Sequence, residues 1–314
     1  MSAPSIRRRL HLTAAVAAMG ALLLTGCGDQ TDKGSGERGE GAGKADTAPL
    51  FAKLPKQYQD SGVIKVGSDI AYAPIEFKQN GKTVGVDPDL AAALGKQLGV
   101  RFEFQNGKFD SLITSLQSKR IDIIMSAMSD TKDRQEGMDE GKKVGEGVDF
   151  VDYFNAGTSI LVQKGNPHNI KSLDDLCGKV VALQRGTTSE EVAKDQAKKC
   201  KDEGKGELKL QTFDTDPEAL LRLKQGASAA DLNDFPVAAY NAATSGGGKD
   251  FEVVGEQIDA GPYGIAVRKS DTELRDAIKA AMDAIMKNGE YQKILEKWNV
   301  SEGALKEATI NGGS

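Results

Sequence analysis

The sequence predicts an α/β fold made of two units in series. Two observations carry this. Short apolar runs of strand length alternate with stretches whose apolar residues recur every three or four positions, the β-α-β order of a largely parallel sheet. That order occurs twice, from about Val63 to Met125 and from about Val180 to Leu232, with no repeat of fixed period. The length of 314 residues also suggests about two domains.

Residues 1–26 belong to neither unit. Arg7, Arg8 and Arg9 form a basic segment, Leu10 to Leu24 an apolar one, and Leu24-Thr25-Gly26-Cys27 has the form of a lipobox. The apolar segment is shorter than the roughly 20 residues of a spanning helix, so it reads as a removable signal peptide. The arginines before Leu10 fit twin-arginine export as well as the general secretory route. Cleavage before Cys27 leaves that residue to carry a multi-chain lipid anchor, where one acyl chain alone holds only marginally. Loss of the three arginines takes the formal net charge from −5 to −8. Such a balance disfavours nucleic acid as a partner, because no basic excess exists to neutralise phosphates. Residues 27–53 are expected to be a disordered tether. Gly28 to Pro49 is polar and Gly-rich, with too little apolar surface to fold. As a random coil it spans on the order of 25 Å.

In the first unit, Val63 to Gly67 is a strand and Ser68 to Pro74 the loop after it. Asn80-Gly81 marks a hairpin turn. Asp87 is the expected N-cap of a helix with Pro88 at its first position, striped by Leu90, Leu94 and Leu98 and stopped by Gly99. Val100 to Phe104 is a strand, Asp110 the expected cap of a helix bearing Leu112, Ile113 and Leu116, and Ile121 to Met125 a strand. The stretch Ser126 to Arg134 then opens a polar loop at that strand's end, where α/β folds place ligands. Gly137 to Gly147 reads as a surface loop and Gly157 to Gln163 as a strand. Ser172 to Asp175 is a capping box. The second unit follows: strand Val180 to Leu183, loop Gln184 to Thr187, a helix to about Cys200, strand Leu208 to Phe213, a helix opening at Asp216-Pro217, and a short strand ending at Asn233-Asp234. Phe251 to Val254 and Tyr263 to Val267 read as two further strands, before a helix striped by Leu274, Ile278, Ala281 and Ile285 and a last one from Tyr291 to Trp298.

Outside the cytoplasm the remaining cysteines, Cys177 and Cys200, read as a disulfide. No CxxC motif is present, and past the signal only His168 remains, so neither a metal nor another cofactor is expected. The chain has no GxSxG, HExxH or P-loop motif, and enzyme chemistry has little support. A free α-amino acid needs a guanidinium fork and backbone N–H groups for its carboxylate, and a carboxylate for its ammonium. Arg134 offers the first. Gly186, Thr187 and Thr188 at a helix start add N–H groups and a favourable dipole. Asp234 offers the carboxylate, though it equally fits the N-cap of a helix from Phe235 to Asn241. Tyr72 and Phe109 suit a ligand wall or the core, and Asp69 a ligand or a turn.

From Val63 to Trp298 the chain resembles the bacterial extracellular solute-binding proteins of family 3, the amino-acid receptors of ABC importers. The resemblance is carried by Val66-Gly67-Ser68-Asp69 with Tyr72-Ala73-Pro74, Val84 to Leu90, Phe109 to Ile113, Asp122 to Ile124 through Thr131 and Arg134, Val148-Asp149-Phe150 with Tyr153, Ser172 to Leu176, Gly186-Thr187, and Gly289 through Trp298. It implies a two-lobe type II periplasmic-binding-protein fold with two hinge strands, near Ala156–Gln163 and Tyr263–Val267. Lobe 1 would comprise residues 54–157 plus 265–314, and lobe 2 residues 158–264. It also implies a monomeric, lipid-anchored receptor on the outer face of the cell membrane, passing an amino acid to a permease. Arg134 would hold the α-carboxylate with Ser129 and Thr188, and Asp234 the α-ammonium with the Ala127 carbonyl. Tyr72 and Phe109 would flank the side chain, with Asp69, Gln184 and Asn233 nearer its tip. Asp69 favours a basic or amide side chain, whereas Arg185 would admit an acidic one. A non-transport sensor and a cyclohexadienyl-dehydratase-like enzyme are the alternatives. The chain departs from the family's pattern in about ten extra residues before Val148, in Ala127 where a hydroxyl is common, in Ile75, and in Gly226 to Ala229.

Overall fold

The computed structural model describes residues 47–139 and 141–314. The signal segment, Cys27 and the tether up to residue 46 lie outside the described residues.

The helix α1 (Lys56–Ser61) leads into β1 (Val63–Ser68). A hairpin of β2 (Phe77–Gln79) and β3 (Lys82–Val84) turns at Asn80 and Gly81, both at positive φ as a tight two-residue turn demands. Next come α2 (Val86–Leu98), β4 (Arg101–Asn106), α3 (Leu112–Gln117), β5 (Ile123–Ile124) and α4 (Lys132–Glu136). The short strands β6 (Met138–Asp139) and β7 (Lys142–Lys143) precede the long β8 (Val148–Gln163). The chain continues through β9 (Val180–Gln184), α5 (Thr188–Asp202), β10 (Lys209–Phe213), α6 (Asp216–Lys224), β11 (Ala230–Asp234) and α7 (Phe235–Thr244). It ends with β12 (Phe251–Arg268), α8 (Thr272–Lys287) and α9 (Glu290–Lys297).

Eight strands form one sheet in the order β10-β9-β11-β8-β12-β5-β1-β4. β1 runs parallel to β4 and β5, and β9 parallel to β10 and β11. The antiparallel pair β8 and β12, of 16 and 18 residues, joins these two parallel halves. Each long strand reaches one half with its far end: Ala266 of β12 pairs with Ile124, and Leu161 of β8 with Asp231. Both faces of each half are covered, as parallel sheets require. Ile123 packs with Leu90 and Leu94 of α2 and Ile278 of α8, whereas its neighbour Ile124 packs with Leu112 and Leu116 of α3 and Phe150. In the other half, Ile160 and Val162 join Leu183 and Leu232, and Leu161 joins Leu223 and Phe251 on the opposite face.

Several local expectations need correction. α2 starts at Val86, with Gly85 as its N-cap, so Asp87 lies in the first turn and is buried. Gly85 sits at φ 138°, and a side chain there would run into the Ile75 carbonyl. Asp110 makes no capping bond, because a 3-10 turn (Phe109–Ser111) precedes α3. α6 opens at Asp216-Pro217 as expected, behind a capping box of Thr215 and Glu218. The Gly137–Gly147 loop contains the β6–β7 hairpin. The runs at Phe251 and Tyr263 are parts of one strand, interrupted by shifts in register. The end of the tether is ordered: Phe51–Lys53 form a 3-10 turn, and the Leu50 N–H donates to the Gln97 carbonyl at 2.9 Å. Leu50 and the buried Leu54 give this stretch apolar surface to pack.

Cys177 and Cys200 are joined by a disulfide, with Cα atoms 5.4 Å apart. The bond ties the end of the Leu173–Leu176 turn to α5. Closing a loop of this length stabilises by about 3 kcal/mol, through the entropy taken from the unfolded chain. Replacing both cysteines by serine is therefore expected to lower the unfolding free energy by about that amount. Urea unfolding measures it, and an unchanged midpoint would show that the crosslink contributes nothing.

Candidate functional site

Strand ends from both halves of the sheet converge on a cavity. One wall comes from the β1–β5 half: Asp69, Tyr72, Glu76, Phe109, Ser126, Ala127, Ser129 and Arg134. The facing wall comes from the β9–β11 half: Gln184, Thr187, Thr188 and Asp234.

Arg134 is set by α4. The N-cap Thr131 accepts the Arg134 N–H at 3.3 Å. The guanidinium donates to the Ser129 carbonyl at 2.8 Å and across the cavity to the Gly186 carbonyl at 3.0 Å. It lies over the Phe109 ring, 5.5 Å from the centroid, in cation–π contact. Burial lowers the Arg134 pKa, which nearby Glu191 and Asp234 partly offset. The guanidinium remains charged, as arginine does throughout this pH range. Opposite, Thr187 caps α5 by accepting the Glu190 N–H, and Thr188 Oγ1 lies 3.3 Å from Ser129 Oγ. The amino end of α5 thus adds its positive dipole beside Arg134.

Asp234 closes β11 and occupies the N-cap position of α7, yet its side chain makes no capping bond. Its N–H donates to the Tyr72 hydroxyl at 3.0 Å, across the cavity. Burial pushes the Asp234 carboxyl up to about 6, against the opposing effects of Tyr263, Tyr72 and Arg134. Asp69, at the end of β1, accepts a hydrogen bond from Gln184 Nε2, which also donates to the Asp214 carbonyl at 3.0 Å. Burial raises Asp69 to about 6 as well, with the Gln184 bond opposing it. Ala127 sits at φ 46° in the left-handed region, with its N–H directed at Asp87 Oδ2 at 3.4 Å.

Two residues fall elsewhere. Asn233 is expected near the ligand's tip but does not line the cavity; its amide donates to Asp216 and Asp231 behind the wall, at 3.0 Å each. Arg185 is exposed and paired with Asp214 at 2.7 Å, so it does not present an anion site to the cavity. Asp214 also pairs with Lys108 from the facing half. At the rim, Gly186 (φ 77°) lies so near Asp110 that an added Cβ would stand 2.9 Å from the Asp110 Cβ. Sequence reasoning misses Glu76 and Ser126. A charge between Ile75 and Phe77 reads as solvent-facing, and nothing local signals that Asp87 and Ser126 bury it.

Residues 64–301 match the family described as bacterial extracellular solute-binding proteins, family 3. The chain belongs to that family. As this family member's sequence foreshadows, it has the two-lobe fold of periplasmic amino-acid-binding proteins. It is 31% identical over 264 residues to the arginine-binding protein ArgT of Corynebacterium glutamicum, covering 83% of this chain and 82% of that one. Among solved structures it is similar to an ancestral arginine-binding protein bound to arginine, at 40% identity and a TM-score of 0.67, over 76% of this chain and 98% of that one. It is also similar to the ancestral amino acid-binding protein AncCDT-1, a precursor of cyclohexadienyl dehydratase, at 37% identity and a TM-score of 0.67, over 77% of this chain and 97% of that one.

The raised Asp69 pKa has a stability consequence. In the folded protein Asp69 holds its proton to higher pH than in the unfolded chain, so its contribution is complete below about pH 4 and is lost as pH rises through about 6. The ligand-free protein is expected to lose on the order of 1–3 kcal/mol over that window relative to Asp69→Asn. Parallel unfolding curves of the two proteins at each pH test this; curves with equal pH slopes would contradict it.

Proposed function

We propose that this protein is an extracytoplasmic, lipid-anchored receptor that binds a free amino acid between its lobes and delivers it to an ABC importer. The observation that carries the reading is the placement of Arg134 and Asp234 on walls contributed by different halves of the sheet. An α-amino acid carries one group for each. A ligand touching both walls favours the closed state, because only that state offers both contacts. Ser129 and Thr188 assist at the carboxylate and the Ala127 carbonyl at the ammonium, while Tyr72 and Phe109 flank the side chain. Lobe 1 is residues 54–157 plus 265–314, and lobe 2 residues 158–264, with β8 and β12 as the hinge.

Asp69 and Gln184 stand at the side-chain end, and with Arg185 engaged by Asp214 they favour a basic or amide side chain over an acidic one. The similarity to arginine-binding proteins supports this choice. Residues 1–26 are the export signal, Cys27 the lipid attachment site, and the polar stretch after it the tether that lets the receptor reach its permease as a monomer. Similarity to AncCDT-1 supports a second reading, turnover of a cyclohexadienyl substrate. Product formation from such a substrate would establish it.

A thermal-shift screen of the protein from Thr47 onward, against the amino acids, polyamines and simple sugars, is the direct test. A ligand far above its dissociation constant is expected to stabilise by about 3–4 kcal/mol. Arg134→Ala and Asp234→Ala are expected to abolish that shift and leave the ligand-free melting temperature near wild type. If Asp234→Ala unfolds the protein while its folded fraction keeps full affinity, Asp234 is a helix cap and the reading of this wall is wrong. A shift with a sugar alone would replace the ligand class.

A further inference from the structure

Glu76 is fully buried and lines the cavity. Ser126 Oγ donates to its Oε1 at 2.7 Å. Among the described residues its other oxygen, Oε2, has no hydrogen-bond partner, and a second fully buried carboxylate, Asp87, is the neighbour that the Glu76 carboxyl meets. Asp87 is itself well supplied. Tyr153 donates its hydroxyl to Oδ1 at 2.8 Å, the Ala127 N–H approaches Oδ2 at 3.4 Å, and the first turn of α2 favours an anion. Two carboxylate oxygens bond to each other only through a proton. Leaving both acids ionised, buried and adjacent is far costlier than retaining one proton.

The surroundings agree. The groups that act on Glu76 are Asp87, Asp69 and the Ser126 hydroxyl, and Glu76 acts in turn on Tyr153 and Tyr263. None of these is a cation, and among the described residues neither acid is in a salt bridge. Burial raises the pKa of both acids; Asp87 and Asp69 add to the rise at Glu76, whereas Tyr153, the Ala127 N–H and the bond with Glu76 oppose it at Asp87. The protonated Glu76 then donates to an ionised Asp87. The pair grips consecutive residues of the cavity wall, Ser126 through Glu76 and Ala127 through Asp87. Ser126 in turn accepts the Asp69 N–H at 2.9 Å. Ala127 holds a left-handed conformation that is uncommon for a residue with a side chain, and such a conformation persists only where its surroundings enforce it.

We propose that Glu76 and Asp87 share a single proton and act together as a positioning pair, holding Ser126 and Ala127 in the geometry that binds ligand, so that affinity falls when the proton leaves. The affinity half of this statement rests on the amino-acid-binding reading above; the shared proton does not.

The test compares wild type, Glu76→Gln and Glu76→Ala in the full-length chain, with L-arginine as probe, across about pH 5 to about pH 8. The glutamine amide can accept from Ser126 and donate to Asp87 without a titratable proton. Wild type is expected to lose at least about fivefold in affinity relative to Glu76→Gln as pH rises, because only its pair can deprotonate. Its ligand-free melting temperature is expected to fall by at least about 2–4 °C relative to the glutamine variant over the same window. Glu76→Ala is expected to bind more weakly than either at every pH, and rescue by glutamine separates positioning from mere bulk. Two results overturn the proposal: glutamine binding as poorly as alanine at all pH, which makes the carboxylate a direct ligand contact, or identical pH profiles for wild type and Glu76→Gln. If L-arginine shifts no melting curve at any pH, the ligand reading has failed; the difference in melting temperature between wild type and Glu76→Gln then supports or overturns the shared proton by itself.

Discussion

The antiparallel pairing of β8 with β12 is the constraint on which the cavity depends. These two strands join the halves of the sheet, so the main-chain ladder that links the walls of the cavity runs through them. Their pairing is broken in register three times, between Val254 and Ile258, Ile258 and Gly261, and Tyr263 and Gly264. Such breaks bend a strand and interrupt its ladder, and the last of them, at Tyr263 and Gly264, lies beside the Ser129 segment of the cavity wall. The loop that carries Arg134 is fastened to the same place. The Asp130 N–H donates to the Pro262 carbonyl at 2.8 Å, and the Gly264 N–H to the Met128 carbonyl at 2.9 Å. A change in the bend of β12 therefore moves the support of Arg134 with it.

The second theme is buried acid. Asp69, Glu76 and Asp234 face the cavity, with Arg134 as the cation among its lining residues. Each acid is met by neutral donors: Gln184 at Asp69, Ser126 at Glu76, and the phenols beside Asp234. Neutral donors soften the penalty of burying a carboxylate without cancelling its charge. The raised pKa values express what is left over. This excess of acid is an attraction held in reserve for a cationic group arriving from solvent.

The parts of this architecture that a one-dimensional reading recovers are those built from neighbours in sequence. The stripe Leu90, Leu94, Leu98 of α2, the Asn80–Gly81 turn and the Ser172–Asp175 capping box are each written within a few residues. The crosslink of Cys177 with Cys200 follows from there being one pair to make. What escapes is decided at long range. Asp87 looks like a helix cap beside Pro88, and only Tyr153 and Ala127, far away in sequence, turn it inward. Asn233 looks like Asp234's partner in the cavity, but strand alternation points adjacent residues to opposite faces, and Asp216 and Asp231 take its amide. The length of β12 is hidden because the mostly polar or small stretch from Gly255 to Pro262 separates its two apolar runs, and that stretch holds the first two breaks in register.

The contact of Gly186 with Asp110 sets a limit of a different kind. There the main chain of Gly186 faces the Cα and Cβ of Asp110, with no long side chain to yield. Closure at the rim is therefore a hard stop. A guest bulky enough to keep Gly186 from reaching Asp110 also keeps the Gly186 carbonyl from Arg134, whatever its charges. The protein thus applies a gauge of size that is independent of its sorting by charge, and the two filters can diverge separately as the cavity changes its preferred guest.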